Sequence, residues 1–187
     1  MRTSKRICFL FAAIACVCAM GLFACSGTNN ANDRTLTYAN ADFGLKADLP
    51  AGFASFERDA NFEGDTYEFC AKSADEIEEI CFSLRDMTAS KSITDAATWM
   101  TAYEDYAKKE LEKSGGKMGN VNEAKDYSLA GVPCASFSAE ITEDGATRYC
   151  EHFFVVSGNQ GMRIDLSSTS KEGLTELEKC FSGLNVS

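Results

Sequence analysis

The chain is poor in the residue types that acid–base and metal chemistry need. His152 is its single histidine. One imidazole does not make a bis-histidine metal site, and it is the only histidine base a hydrolase triad would have. A Gly-x-Ser-x-Gly elbow is absent. So is a Cys-x-x-Cys pair, which excludes the usual dithiol redox motif. Gly115-Gly116-x-x-Gly119 follows a helical stretch rather than a strand, so it is not a phosphate-cradling loop. The carboxylate pairs Glu78-Glu79 and Glu143-Asp144 fall in expected turns, where solvated charge is the ordinary outcome. The second turn lacks the spaced carboxylates of an EF-hand. No internal repeat of solenoid period is present. The sequence therefore offers no catalytic, metal-binding or cofactor-binding residue and reads as non-enzymatic.

Positive charge is also scarce. There are 18 Lys and Arg against 28 Asp and Glu, a net charge of −10. Three of the basic residues, Arg2, Lys5 and Arg6, cluster at the amino end ahead of an apolar run over residues 7–22. That pairing of a basic tip and an apolar core is the pattern of a secretory signal. Without residues 1–24 the chain carries 15 basic and 28 acidic side chains, a net charge of −13. Such a surface repels nucleic acid and anionic lipid headgroups.

The run closes on Leu22-Phe23-Ala24-Cys25, which resembles a bacterial lipobox. The resemblance implies cleavage before Cys25, a diacylglycerol on its thiol, and a globule tethered outside the cytoplasmic membrane. Two other readings of the same run are an uncleaved anchor, which needs about 20 apolar residues, and plain cleavage with release. On the lipobox reading, residues 1–24 are a signal peptide. Residues 25–37, rich in Asn, Gly, Ser and Thr, are a flexible tether. Residues 38–187 are one domain, long enough to bury roughly two thirds of its unfolded surface.

Within that domain, Phe43-Gly44-Leu45-Lys46-Ala47-Asp48-Leu49 alternates apolar and polar and reads as a half-buried strand. Pro50-Ala51-Gly52 breaks it. A short strand follows at 53–56, then a hairpin of 66–71 with 79–85. Centring that hairpin between Asp75 and Glu76 pairs Phe69 with Phe82 and Tyr67 with Leu84. It also sets Cys70 opposite Cys81 on the other face, which makes them the candidate disulfide. A helix over 93 or 94 to 113 stacks Ala96, Trp99, Met100, Tyr103, Tyr106, Ala107 and Leu111 in one stripe. Ser92 or Thr94 caps it and Gly115-Gly116 ends it. Residues 117–130 read as a polar edge strand. Strands 134–142 and 147–156 surround Asp144-Gly145, a strong hairpin signal, and 162–168 is a further strand. A final helix, with Thr169 and Glu172 as capping box, buries Leu174, Leu177, Cys180 or Phe181, and Leu184. The expected fold class is α+β: a single twisted antiparallel sheet with two main helices packed on it.

This order, with the Leu49-Pro50-Ala51-Gly52-Phe53 step, the helix around Trp99, Gly131-Val132-Pro133 and the aromatic strand 149–156, resembles the PsbP-like group. That group includes LpqN-type bacterial lipoproteins. The resemblance implies a binding or assembly factor rather than an enzyme, and it supplies no ligand residues to carry over.

Of nine cysteines, Cys8, Cys16 and Cys18 lie in the signal and Cys25 at the lipidation site. Cys134, Cys150 and Cys180 remain besides the candidate pair, an odd count that leaves a free thiol or an intermolecular bridge. Cys134 and Cys150 are offset within one hairpin and should not face each other. The leading expectation is a lipid-anchored binding or assembly module on the outer face of the cell membrane, with a protein partner in the envelope and none among nucleic acids. The alternative is a small-ligand or cation carrier using a cleft between sheet and helix, and a third reading is an enzyme of unrecognised class.

Overall fold

The computed structural model describes residues 35–59 and 62–184, all within a unit spanning 31–187. Residues 1–24 and Cys25 lie outside the described residues. Strands β1 (Thr37–Asn40), β2 (Leu45–Asp48) and β3 (Phe53–Phe56) come first, then the hairpin β4 (Asp65–Ser73) and β5 (Glu79–Asp86). Helix α1 (Ala96–Ser114) follows. Next is a meander of β6 (Lys117–Leu129), β7 (Val132–Glu143), β8 (Ala146–Ser157) and β9 (Gln160–Ser168). Helix α2 (Lys171–Glu178) and β10 (Phe181–Gly183) close it.

The strands form two sheets, not the one expected. A seven-stranded sheet runs β3-β4-β5-β9-β8-β7-β6, and a three-stranded one runs β1-β2-β10. All pairings are antiparallel. The error came from Phe181, whose spacing from Leu174 and Leu177 suits a helix. In fact α2 ends at Glu178, and Phe181 pairs with Ala47 as a strand residue. Thr37, counted with the tether, opens β1. The opening strand also shortens, because Ala41–Phe43 forms a 3₁₀ turn that leaves through Gly44 at φ 65°.

Period-two alternation gives the large sheet two apolar faces. Phe82, Phe153, Val155, Met162, Ile164 and Leu166 point toward the small sheet and α2, meeting Leu45, Ala47, Leu49, Leu177 and Phe181. Ala135, Phe137, Ala139 and Phe154 point the other way, toward Trp99, Met100 and Tyr103 of α1. Each fully buried large side chain contributes about 1.5–3 kcal/mol. The stripe expected on α1 thus becomes core. Its cap is Asp95 rather than Ser92 or Thr94. Asp95 accepts from the Thr98 amide while Thr98 Oγ1 accepts from the Asp95 amide, a capping box. The α2 cap is Ser170, not Thr169, and it accepts from the Gly173 amide at 3.0 Å. Edge strand β6 carries two register irregularities and alternating charge, which discourage pairing with another chain.

Candidate functional site

Helix α1 does not span the whole of the sheet face it packs on. Helix α1 packs on β7, β8 and β6, and Trp99 and Tyr103 reach as far as Gly161 and Arg163 of β9. Gly161 is needed there: a Cβ would meet the Trp99 ring at 2.4 Å. Beyond that edge, Asp65, Cys70, Cys81, Ser83 and Arg85 of β4 and β5 are buried, and Phe56, Tyr67, Lys72 and Glu79 are half-buried.

A chain of alternating charges runs across this face. Asp65 on β4 takes Arg85 of β5 at 2.8 Å and also takes the Nη1 group of Arg163 on β9. Arg163 Nε donates to both oxygens of Asp165, at 2.9 and 3.1 Å. Asp165 Oδ1 lies 2.7 Å from His152 Nδ1 on β8. The Arg163 side chain is 0 % exposed and that of Asp65 1 %. Its guanidinium lies 3.9 Å from the centre of the Tyr103 ring. The His152 ring stacks on Phe137 at 4.6 Å. Buried charge is tolerated only where partners replace water, and removing one partner of such a pair typically costs about 3–5 kcal/mol.

Tyr67 enters this chain through a local irregularity. The expected register holds for Phe69 with Phe82 and for Cys70 with Cys81. A bulge between Tyr67 and Phe69 then shifts the pairing, so Tyr67 faces Ser83 and Thr66 faces Leu84. Tyr67 therefore leaves the face of Phe69. Its hydroxyl donates to Asp165 Oδ2 at 3.5 Å and accepts from Arg163 Nη2 at 3.2 Å. Burial and the Asp165 charge push its phenol up to about 12, so it remains a donor. Burial alone would raise Asp165. The Arg163 charge and the His152 hydrogen bond outweigh it and hold the carboxyl at about 2. Arg163, for all its burial, is held further into its charged form by Asp165.

His152 is thus a buried member of this network, and it is oriented by a carboxylate. Two residues before it on the same face, burial pushes the Cys150 thiol up to about 12. Alternation along β7 and β8 places Cys134 and Cys150 on opposite faces of the sheet, so they do not meet. Burial likewise pushes Cys134 up, to about 11. Cys180, partly exposed, donates to the Glu176 carbonyl. Cys70 and Cys81 are brought together: their Cα atoms are 4.1 Å apart and their sulfurs touch. The sequence reading missed Asp65, Arg85, Arg163, Asp165 and Tyr67. The available signal was oppositely charged residues at alternate positions of strands otherwise apolar on both faces.

Among the described residues no cluster of three His, Cys, Asp or Glu side chains is arranged to hold a metal ion. Nor is any helix there long and apolar enough to cross a membrane.

No family model and no curated protein matches the sequence. Solved structures do. The solution structure of cyanobacterial PsbP (CyanoP) from Synechocystis sp. PCC 6803 matches at TM-score 0.57 and 12% identity, over 87% of this chain and 98% of that one. The Ran-binding protein Mog1p of Saccharomyces cerevisiae matches at TM-score 0.44 and 10% identity, over 81% and 96%. LpqN of Mycobacterium tuberculosis matches at 0.43 and 9%, over 80% and 85%. The first likeness supports a PsbP-like fold, and the two lower scores add nothing to it. At such identities the likeness concerns architecture alone.

Proposed function

We propose that the chain is a lipid-anchored, extracytoplasmic binding or assembly module, held by a diacylglyceryl Cys25 and working through the β3–β4–β5 side of its large sheet. The observation that carries the binding reading is the half-buried rim of rings and charges on the part of that face where α1 does not pack. A sheet face normally buries its side chains against another layer. Here Phe56, Arg58, Tyr67, Lys72 and Glu79 are left as a rim of rings and charges around the β4–β5 hairpin. The anchor reading rests on the basic tip, the apolar run and the Leu22-Phe23-Ala24-Cys25 motif. Residues 1–24 are then a signal peptide, and the stretch from Cys25 to the start of β1 at Thr37 a tether. The oxidising surroundings outside the membrane permit a Cys70–Cys81 disulfide.

Two arrangements favour binding over catalysis. The His152–Asp165 pair has the look of a base and its orienting acid, but the thiol nearest it in sequence, Cys150, is held protonated. The acidic groups of the network are committed to Arg85 and Arg163. The carrier alternative needs a cleft between sheet and α1, and that interface is filled by Trp99, Met100, Phe137 and Phe154, all fully buried.

Crosslinking on intact cells tests the proposal. Wild-type chain should be recovered in the membrane fraction bound to a discrete protein partner, and Cys25→Ser should lose both the lipid label and that partner. Normal lipid labelling of the Cys25→Ser chain would refute the anchor. Recovery of an unlipidated chain beginning at Met1 in the cytosol would refute the location as well.

A further inference from the structure

Arg58 lies just beyond β3, in backbone that is neither strand nor helix. Its guanidinium sits 5.5 Å from the centre of the Phe56 ring and 5.7 Å from that of Tyr67. Its Nη1 is 2.5 Å from Glu79 Oε1 and 3.6 Å from Cys81 Sγ. Although burial works against the cation, Glu79 first, then Tyr67 and Asp165, more than offset it. Two ring faces and a carboxylate are the components of a cation receptor. Those components come from three neighbouring strands, β3, β4 and β5, and sheet pairing fixes their spacing. The occupant alone comes from irregular backbone, and its side chain is still 38 % exposed.

We propose that Phe56, Tyr67 and Glu79 form a receptor for an arginine side chain of a partner protein, with Arg58 as the internal occupant that yields its place. The inference names the chemistry of the partner and rests on the β3–β4–β5 side of the sheet being the binding surface. The occupant commits the site to a cation, and the net charge of −13 left without residues 1–24 draws a basic segment toward it. The geometry favours arginine over lysine, because a planar guanidinium can lie on rings and pair with a carboxylate at once. Lys72 illustrates the difference. Its ammonium lies 5.7 Å from the Phe56 ring, yet it pairs with Glu76 on the outside rather than with Glu79. Arg58 is a tethered competitor, so an incoming arginine binds more weakly by the factor to which the site is already filled.

The test titrates N-acetyl-arginine amide into the full chain in detergent, wild type and Arg58→Ala, followed by amide NMR. Arg58→Ala should bind saturably and at least tenfold more tightly than wild type, with shifts at Phe56, Tyr67 and Glu79. N-acetyl-lysine amide should bind more weakly, and adding Glu79→Gln to Arg58→Ala should cost a further tenfold. Equal affinity of wild type and Arg58→Ala would overturn the inference, as would binding indifferent to Glu79→Gln. If the Glu79 variant does not fold, Phe56→Ala in the same background gives the same reading. A photocrosslinker at Lys72 in intact cells separates the two levels. Capture that 10 mM arginine amide does not diminish overturns the arginine receptor and leaves the β3–β4–β5 side standing as the binding surface. Saturable binding to Arg58→Ala with nothing captured in cells supports the receptor and counts against an envelope partner.

Discussion

Asp165 keeps its negative charge where little water reaches it, because Arg163 and His152 stand in for solvent. Its folded pKa of about 2 lies below the ordinary 3.8. The unfolded chain therefore binds more protons in that window, and stability falls as pH drops from about 4 to about 2. The size is about 2 kcal/mol, from 1.36 kcal/mol per pKa unit. Asp165→Asn should lower stability at pH 7 and flatten the acid limb of a urea-melt series between pH 4 and pH 2. An unchanged acid limb would mean that Asp165 is not the titrating group. Alternation along β9 tells Ile164 from Asp165 but does not say which face is covered. The partner that makes Arg163 tolerable inside, Asp65, lies 98 positions earlier. No local window of sequence joins the two, and the Tyr67 bulge was hidden for the same reason.

Turns and caps behave differently, since their chemistry is local. The Asp144-Gly145 hairpin was legible because both residues take positive φ, 51° and 80°, as a tight turn of that type needs. Ala130 and Gly131 make the corresponding turn between β6 and β7 at 51° and 87°. An alanine has no local hydrogen bond to offset that strain. Ala130→Asn should stabilise the domain by about 0.5–1 kcal/mol in urea melts, and a loss would show that the side chain matters elsewhere. Helix α2 carries a second signature. Its last residue, Glu178, accepts from Tyr127 of β6, and Glu151 of β8 lies beneath with Cys134 of β7 nearby. Burial, then the Glu178 charge, push Glu151 up to about 7. Here the folded state holds the extra proton, so stability is greatest below about 4.5 and falls as pH rises toward 7. Glu151 keeps some contact with solvent, so the loss should be about 1–2 kcal/mol. Glu151→Gln should remove the slope of melting temperature between pH 5 and pH 8. Persistence of that slope would place the titration elsewhere.

Most of the large sheet, both helices and the Cys70–Cys81 register were legible because hydrophobic period and turn residues carry them. The division into two sheets was not. Four-residue β2 pairs with β1 on one side and with three-residue β10 on the other, and nothing within so short a run names a partner so distant. The sulfurs offer a check on the whole molecule. Alkylation without reductant should leave Cys70 and Cys81 unmodified and label Cys180 in the folded state. Cys134 and Cys150 should react only after unfolding, and labelled Cys70 and Cys81 would disprove the bridge. The seating of β2 between the first strand and the last has its own effect. Phe181-Ser182-Gly183 follow β1 and β2 by more than 130 positions. Without those three residues, one margin of β2 and the apolar socket for Phe181 stay open, so a chain cut short before residue 181 exposes a sheet edge and part of the core together.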